Sequence, residues 1–146
     1  MLVPRYFSQQ FLASYWGVRR TMHFDIFAHN FNENSALIYM WEIIDLNGDL
    51  IGKYVGKAKG GTKRPYKHYK RNVKRLLAGL PYRKSNPNGY RKIHIALGNA
   101  VRNGFKIKLS ILCNVSQFEN IDDIEQYHIN KQKSHGVESW QLNGSA

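Results

Sequence analysis

Cysteine is nearly missing from this chain: Cys113 is the only one, so no internal disulfide can form. A single thiol suits a reducing compartment, and a cytoplasmic protein is the expectation. The apolar surroundings of Cys113 predict a buried packing role. Long hydrophobic runs are also missing. No apolar stretch approaches the roughly 18 residues of a membrane-spanning helix, so no membrane span is expected. The first 14 residues carry Arg5 but no continuous apolar core, which predicts no signal peptide. There is no cysteine–histidine zinc spacing, no phosphate-binding loop of P-loop type and no nucleophile elbow.

The most informative shortage is of negative charge. No Asp or Glu occurs between Asp49 and Glu119, and 17 of the 22 Lys and Arg lie in that gap. The net charge is +12. A field this one-sided attracts a polyanion. Nucleic acid is the favoured partner, because each phosphate neutralised releases counterions and adds affinity. A generically basic, solvated surface would share the composition.

With 146 residues, 42% of them hydrophobic, the chain has the makings of one globular domain. Residues 1–35 are read as an N-terminal arm packing on the core, with Tyr6–Val18 as a candidate short helix and Arg19 and Arg20 near DNA reach. Residues 36–146 are the domain proper. Residues 36–44 read as a strand from their apolar and β-branched content, with Leu37, Tyr39, Trp41 and Ile43 on one face. Asn47-Gly48 predicts a two-residue type I′ hairpin turn, and residues 50–56 return. Helical spacing covers Lys63–Ala78, with Pro65 in the first turn, and Tyr90–Asn103. Residues 105–111 alternate as a strand, and Phe118–Lys131 form a third helix. The order β-β-α-α-β-α predicts an α+β (broadly α/β) fold: a small three-stranded antiparallel sheet flanked by helices.

Three constellations carry chemistry. In a two-residue hairpin, paired positions sum to 95, so Tyr54 opposes Trp41 and Gly56 opposes Tyr39. Tyr39 and Tyr54 then share a face roughly 7–8 Å apart as diagonal neighbours. Gly56 would leave space beside Tyr39. Two such phenols suit proton handling or water orientation, although an aromatic core would look the same. Arg64 and His68, four apart, share a helix face; they suit a phosphate clamp and a proton carrier or a solvated basic face. Glu125 falls between Ile121 and Ile129 on one apolar stripe. A carboxylate there needs a cation, a hydrogen-bond network or a metal. One carboxylate is too few for a two-metal site but enough for a Mg²⁺ that keeps several waters.

These residues together resemble the GIY-YIG endonuclease family, over roughly residues 36–143. Leu37-Ile38-Tyr39 looks like its first motif strand, with Leu37 where the family's first glycine falls, and Tyr54-Val55-Gly56 like its second. Tyr54 through Lys59, with Arg64 ten residues after Tyr54, is similar to the nuclease module of bacterial nucleotide-excision repair enzymes. His68 is similar to the histidine of homing-endonuclease members, Ile124-Glu125 with Ile129 to the metal-binding glutamate helix, and Leu142-Asn143 to the late asparagine motif. The long basic stretch resembles stand-alone phage and restriction-type members.

The resemblance implies a metal-dependent DNA endonuclease using one Mg²⁺ (or Mn²⁺). Tyr39 would be the general base or water-orienting phenol, with Tyr54 its partner. Arg64 would stabilise the phosphate and His68 would assist proton transfer. Glu125 would bind the metal and Asn143 would brace the site. Double-stranded DNA would lie on Lys57, Lys63, Lys67, Lys70, Arg71, Lys74, Arg75, Arg83, Lys84, Arg91 and Lys92. Two protomers would suit cutting both strands. The competing readings are a non-catalytic nucleic-acid-binding protein on the same fold and a ribonuclease.

Overall fold

The computed structural model describes residues 21–144. Within them the chain forms β1 (Asp25–Ala28), β2 (Leu37–Ile44), β3 (Leu50–Ala58), α1 (Tyr69–Leu77), α2 (Lys92–Asn103), β4 (Lys106–Asn114) and α3 (Ile121–Gln132). A wide turn of π type, Arg64–His68, leads into α1. The candidate helix over Tyr6–Val18 and the Arg19–Arg20 pair lie outside the described residues.

The class is α+β, but the sheet differs from the expected three antiparallel strands. It has four strands in the order β1-β4-β2-β3 and is mixed, because β1 runs parallel to β4. The additional strand has a weak sequence signature. Asp25–Ala28 is four residues long and exposed throughout, with Ile26 and Phe27 both nearly half-exposed. Alternation cannot announce a strand that buries neither face. Just before it, Met22 is buried in the core and Phe24 packs edge-on against Trp41.

β2 is central because both of its faces are apolar. Leu37, Tyr39, Trp41 and Ile43 pack with Tyr69 and Val73 of α1 and Ile93, Leu97 and Ala100 of α2. Ile38 and Met40 pack the opposite way, with Val55, Val115 and Ile129 of α3. Two helices therefore cover one face of the sheet and one covers the other.

The hairpin register agrees with the expectation, by a different route. Trp41 pairs with Tyr54 and Tyr39 with Gly56. Yet the turn is not a two-residue type I′ turn, since Gly48 (φ 87°) has a positive φ and Asn47 does not. Asp45 accepts from the Asn47 and Asp49 amides through its carboxylate, and Gly48 N–H donates to the Asp45 carbonyl. This three-residue loop pairs Ile44 with Leu50, one step away from the expected sum. A bulge between the Ile44 and Ile43 pairs restores it. The two offsets cancel, so the faces come out as alternation requires.

Candidate active site

Tyr39 sits at the middle of β2 and is 1% exposed. The gap expected opposite it, at Gly56, does not exist. The Tyr39 ring lies across Gly56, and a Cβ there would fall 2.5 Å from its hydroxyl oxygen. Glycine is required because the aromatic ring occupies the side-chain space of the neighbouring strand. Burial holds the Tyr39 phenol well above its usual range, and Tyr69 and Tyr54 add to the effect. The phenol is therefore neutral.

Its hydroxyl meets that of Tyr69 at 2.7 Å. Tyr69, 1% exposed, reaches this position because the turn before α1 is wide. A turn closed by i→i+5 hydrogen bonds brings the fifth residue after Arg64 round to the sheet, and His68 stays beside the surface. Burial, then Tyr54, pushes the Tyr69 phenol up while Arg91 opposes them.

Arg91 immediately precedes α2 and turns inward. Its Nη1 donates to the Tyr54 hydroxyl at 2.8 Å and its Nη2 to the Tyr69 hydroxyl at 3.2 Å. Its position in the basic loop suggested a DNA contact, yet its guanidinium is held on two phenols. His94, one turn into α2, is 1% exposed and lies against the rings of Tyr69, Tyr82 and Tyr90. Its Nδ1 accepts from the Arg91 amide at 3.0 Å. Burial, with Arg91 and Arg64 adding, pushes its pKa down to about 4. His94 is a neutral spacer that seats the start of α2.

Glu125 approaches from the other face of the sheet. It is half-buried and accepts no hydrogen bond from any described residue. Its nearest cation is Lys57 of β3, with Nζ 3.9 Å from Oε1. Lys57 is instead hydrogen-bonded to Asp122, one turn earlier on α3. Burial raises the Glu125 pKa; Lys57 lowers it, Asp122 raises it and Arg91 lowers it, in that order. Among the described residues there is no group of three His, Cys, Asp or Glu placed to hold a metal. A half-buried carboxylate without hydrogen bonds fits one hydrated divalent cation, since Mg²⁺ commonly takes one or two carboxylates and keeps its waters.

Arg64 and His68 line one cleft of about 470 Å³ with Lys57, Lys59, Gly60, Gly61 and Lys63. Burial, then Arg71, Arg64 and Lys63, lowers the His68 pKa and leaves its imidazole neutral near pH 7. Lys63, Lys67, Lys70, Arg71 and Lys74 project from the exposed side of this turn and α1. Lys70 lies over the Phe24 ring. Arg83 stacks on Tyr82, and Lys84 is exposed in the same loop. Arg75 and Lys92 have internal duties, donating to the carbonyls of Pro81 and Gln141.

Asn143 does not point into the cleft chemistry; it grips the chain beside it. Its Oδ1 accepts from Val55 N–H at 2.7 Å and its Nδ2 donates to the Val55 carbonyl at 2.8 Å. Val55 lies between Tyr54 and Gly56, so this clamp steadies the second phenol's strand.

Sequence reasoning missed Tyr69, Arg91's inward role and His94. Tyr69 shares its helical spacing with the apolar Tyr66 and Val73, three before and four after it, so spacing alone does not single it out. His94 carried one signal, a polar residue at i+3 from a helix start, which suits a reciprocal cap. Comparisons with protein-family models, with curated proteins and with solved structures find no match to this chain.

Proposed function

We propose that the protein is a divalent-metal-dependent DNA endonuclease, hydrolysing phosphodiester bonds at the cleft beside β3. The supporting observation is the gathering of unlike groups around that strand. Three phenols, two of them hydrogen-bonded to each other and two held by Arg91, a carboxylate without hydrogen bonds among the described residues and the cations Arg64 and Lys57 approach it from both faces of the sheet. Phosphoryl transfer needs this mixture: donors and cations for the charge that builds on phosphate, and one anion for a metal.

Each residue has a defined task in this reading. Arg64 binds the scissile phosphate from the cleft wall. His68, neutral near pH 7, accepts a proton there. Tyr39 is held neutral by burial, so it orients water or phosphate as a hydrogen-bond donor; the base role would require ionising it against that burial. Tyr54 donates alongside it. Glu125 would hold Mg²⁺ (or Mn²⁺), which would supply charge neutralisation at the phosphate and a more acidic water. Lys63, Lys67, Arg71 and Lys74 contact the DNA backbone.

Supercoiled plasmid incubated with Mg²⁺, and in parallel with EDTA, tests this. Metal-dependent nicking or linearisation is expected. Binding without cleavage in every metal tried would support the non-catalytic reading, which draws on the near-complete burial of Tyr39. A matched structured RNA, cut in preference to duplex, would support the ribonuclease reading.

A further inference from the structure

The Arg91 guanidinium is held on Tyr54 and Tyr69, and through Tyr69 it is linked to Tyr39. It donates to two of the phenols, and its charge acts on the Glu125 carboxylate. It is not the group that holds phosphate; Arg64 on the cleft wall is placed for that. We propose that Arg91 is a positioning residue that sets the direction of the hydrogen bonds among Tyr54, Tyr69 and Tyr39. In doing so it leaves the partly exposed Tyr54 hydroxyl as the hydrogen-bond donor that can face the substrate. This inference rests on the endonuclease reading above.

The argument follows from the donor and acceptor inventory. Arginine only donates. Both phenol oxygens that it touches, on Tyr54 and Tyr69, must therefore accept. A phenol has one hydrogen to give. At Tyr69 that hydrogen is repelled by the guanidinium and has one acceptor within reach among the described residues, the Tyr39 oxygen at 2.7 Å. The reverse order, with Tyr39 donating to Tyr69, would leave the Tyr69 hydrogen beside a cation with no acceptor. The chain of bonds therefore runs from Arg91 to Tyr69 to Tyr39. Among the described residues the Tyr39 hydrogen is the one left over, and so is that of Tyr54. Burying a hydroxyl hydrogen without a partner is unfavourable. Tyr54, the more exposed of the two, is thus poised for an oxygen that arrives with the substrate or its water. Each donation also polarises the next bond in the series.

The guanidinium shape matters. Two nitrogens of one planar fork serve two oxygens, Nη1 on Tyr54 and Nη2 on Tyr69. An ammonium is a single compact centre and does not reproduce that fork. The neighbouring His94 ring, neutral and accepting from the Arg91 amide, holds the backbone that aims it.

The test is single-turnover cleavage of a labelled duplex by the full chain in Mg²⁺, with Arg91→Ala, Arg91→Lys, Tyr69→Phe and the Tyr69→Phe/Arg91→Ala double variant. Each variant's folding is checked by its thermal transition. Arg91→Ala should lose about 100-fold in the chemical step, the size of a misplaced catalytic group. DNA affinity and its salt slope should be unchanged. Arg91→Lys should not restore the rate, and guanidinium ion added to Arg91→Ala at millimolar concentration should restore part of it. The double variant should be no slower than the slower single variant, because both changes cut one chain. Multiplied losses, or a changed salt slope with an intact rate, would overturn the positioning role and leave the nuclease intact. Absence of metal-dependent cleavage by the wild type would overturn both.

Discussion

The two faces of the sheet are built from different materials. Toward α1 and α2 the core embeds an aromatic, partly hydrogen-bonded cluster among aliphatic residues: Tyr39, Trp41 and Tyr69 form contiguous rings with His94 at their edge. Toward α3 it is aliphatic, made of Ile38, Met40, Val55, Val115 and Ile129. The aromatic side supplies hydroxyl hydrogens whose directions can be set. The aliphatic side supplies low dielectric, and Glu125 at its border is consequently left with a raised pKa and no hydrogen bond. A site assembled around β3 can then draw donors from one side and an anion from the other, without the two neutralising each other directly.

The largest expected effect tests the aliphatic side. Glu125→Gln should reduce metal-dependent cleavage to background while DNA binding, measured by gel shift, persists. The same variant carries a stability prediction. A carboxylate whose folded pKa is raised destabilises the fold increasingly as pH climbs above its ordinary value of 4.5. Without added metal, Glu125→Gln should therefore unfold at slightly higher urea than the wild type at pH 7, with the difference shrinking toward pH 4. A fall in both stability and binding would show that Glu125 is a structural ion pair.

The next effect tests the aromatic side. Gly56→Ala places a methyl against the Tyr39 ring and should cost about 1–3 kcal/mol, the usual range for overpacking. Because the ring must move, cleavage should drop further than the lost stability explains. Normal turnover with full stability would mean that Tyr39 is not held where the hairpin puts it.

A smaller effect concerns pH. His94 titrates near 4 in the folded protein against an ordinary 6.5. Its contribution to stability is complete above pH 6.5 and is lost as pH falls from there toward 4. Urea midpoints should show that loss in the wild type and a flatter profile in His94→Gln. Identical profiles would place the acid sensitivity elsewhere. The smallest expected effect lies outside both faces. Lys74→Ala should lower the salt slope of DNA binding by about one unit and leave the cleavage step alone. No change in slope would show that α1 faces away from the nucleic acid.

The central hairpin was legible because a strand buried on both faces reads as a near-continuous apolar, β-branched run, here followed by the Asn47-Gly48 turn signal. Leu37–Ile44 announces itself, and pairing with β3 follows even though the turn and the bulge each departed from the expected geometry. The three helices were legible from their stripes, their ends shifting by a few residues. β1 was not, because Asp25–Ala28 relies on β4 for its hydrogen bonds and buries little of its own. The wide turn at Arg64–His68 was invisible for a different reason. Its sequence, with Pro65 in the first turn, suits an ordinary helix start equally well, and nothing in the spacing sets Tyr69 apart from the apolar residues around it. Arg91 illustrates a third limit. Within a basic stretch, charge alone does not separate the arginine that turns inward from those that face solvent; only the phenols waiting for it do.

The grip of Asn143 on Val55 bears on how copies of the chain can assemble. β3 is an outer strand, and open outer strands recruit strands of other molecules. Here the carboxamide of Asn143 stands in for a peptide group, while Trp140 and Leu142 satisfy Lys53 on the same side. The middle of that edge is already paired with the protein's own chain. A two-protomer arrangement built to cut both strands would therefore have to join elsewhere than by extending the sheet across the middle of β3.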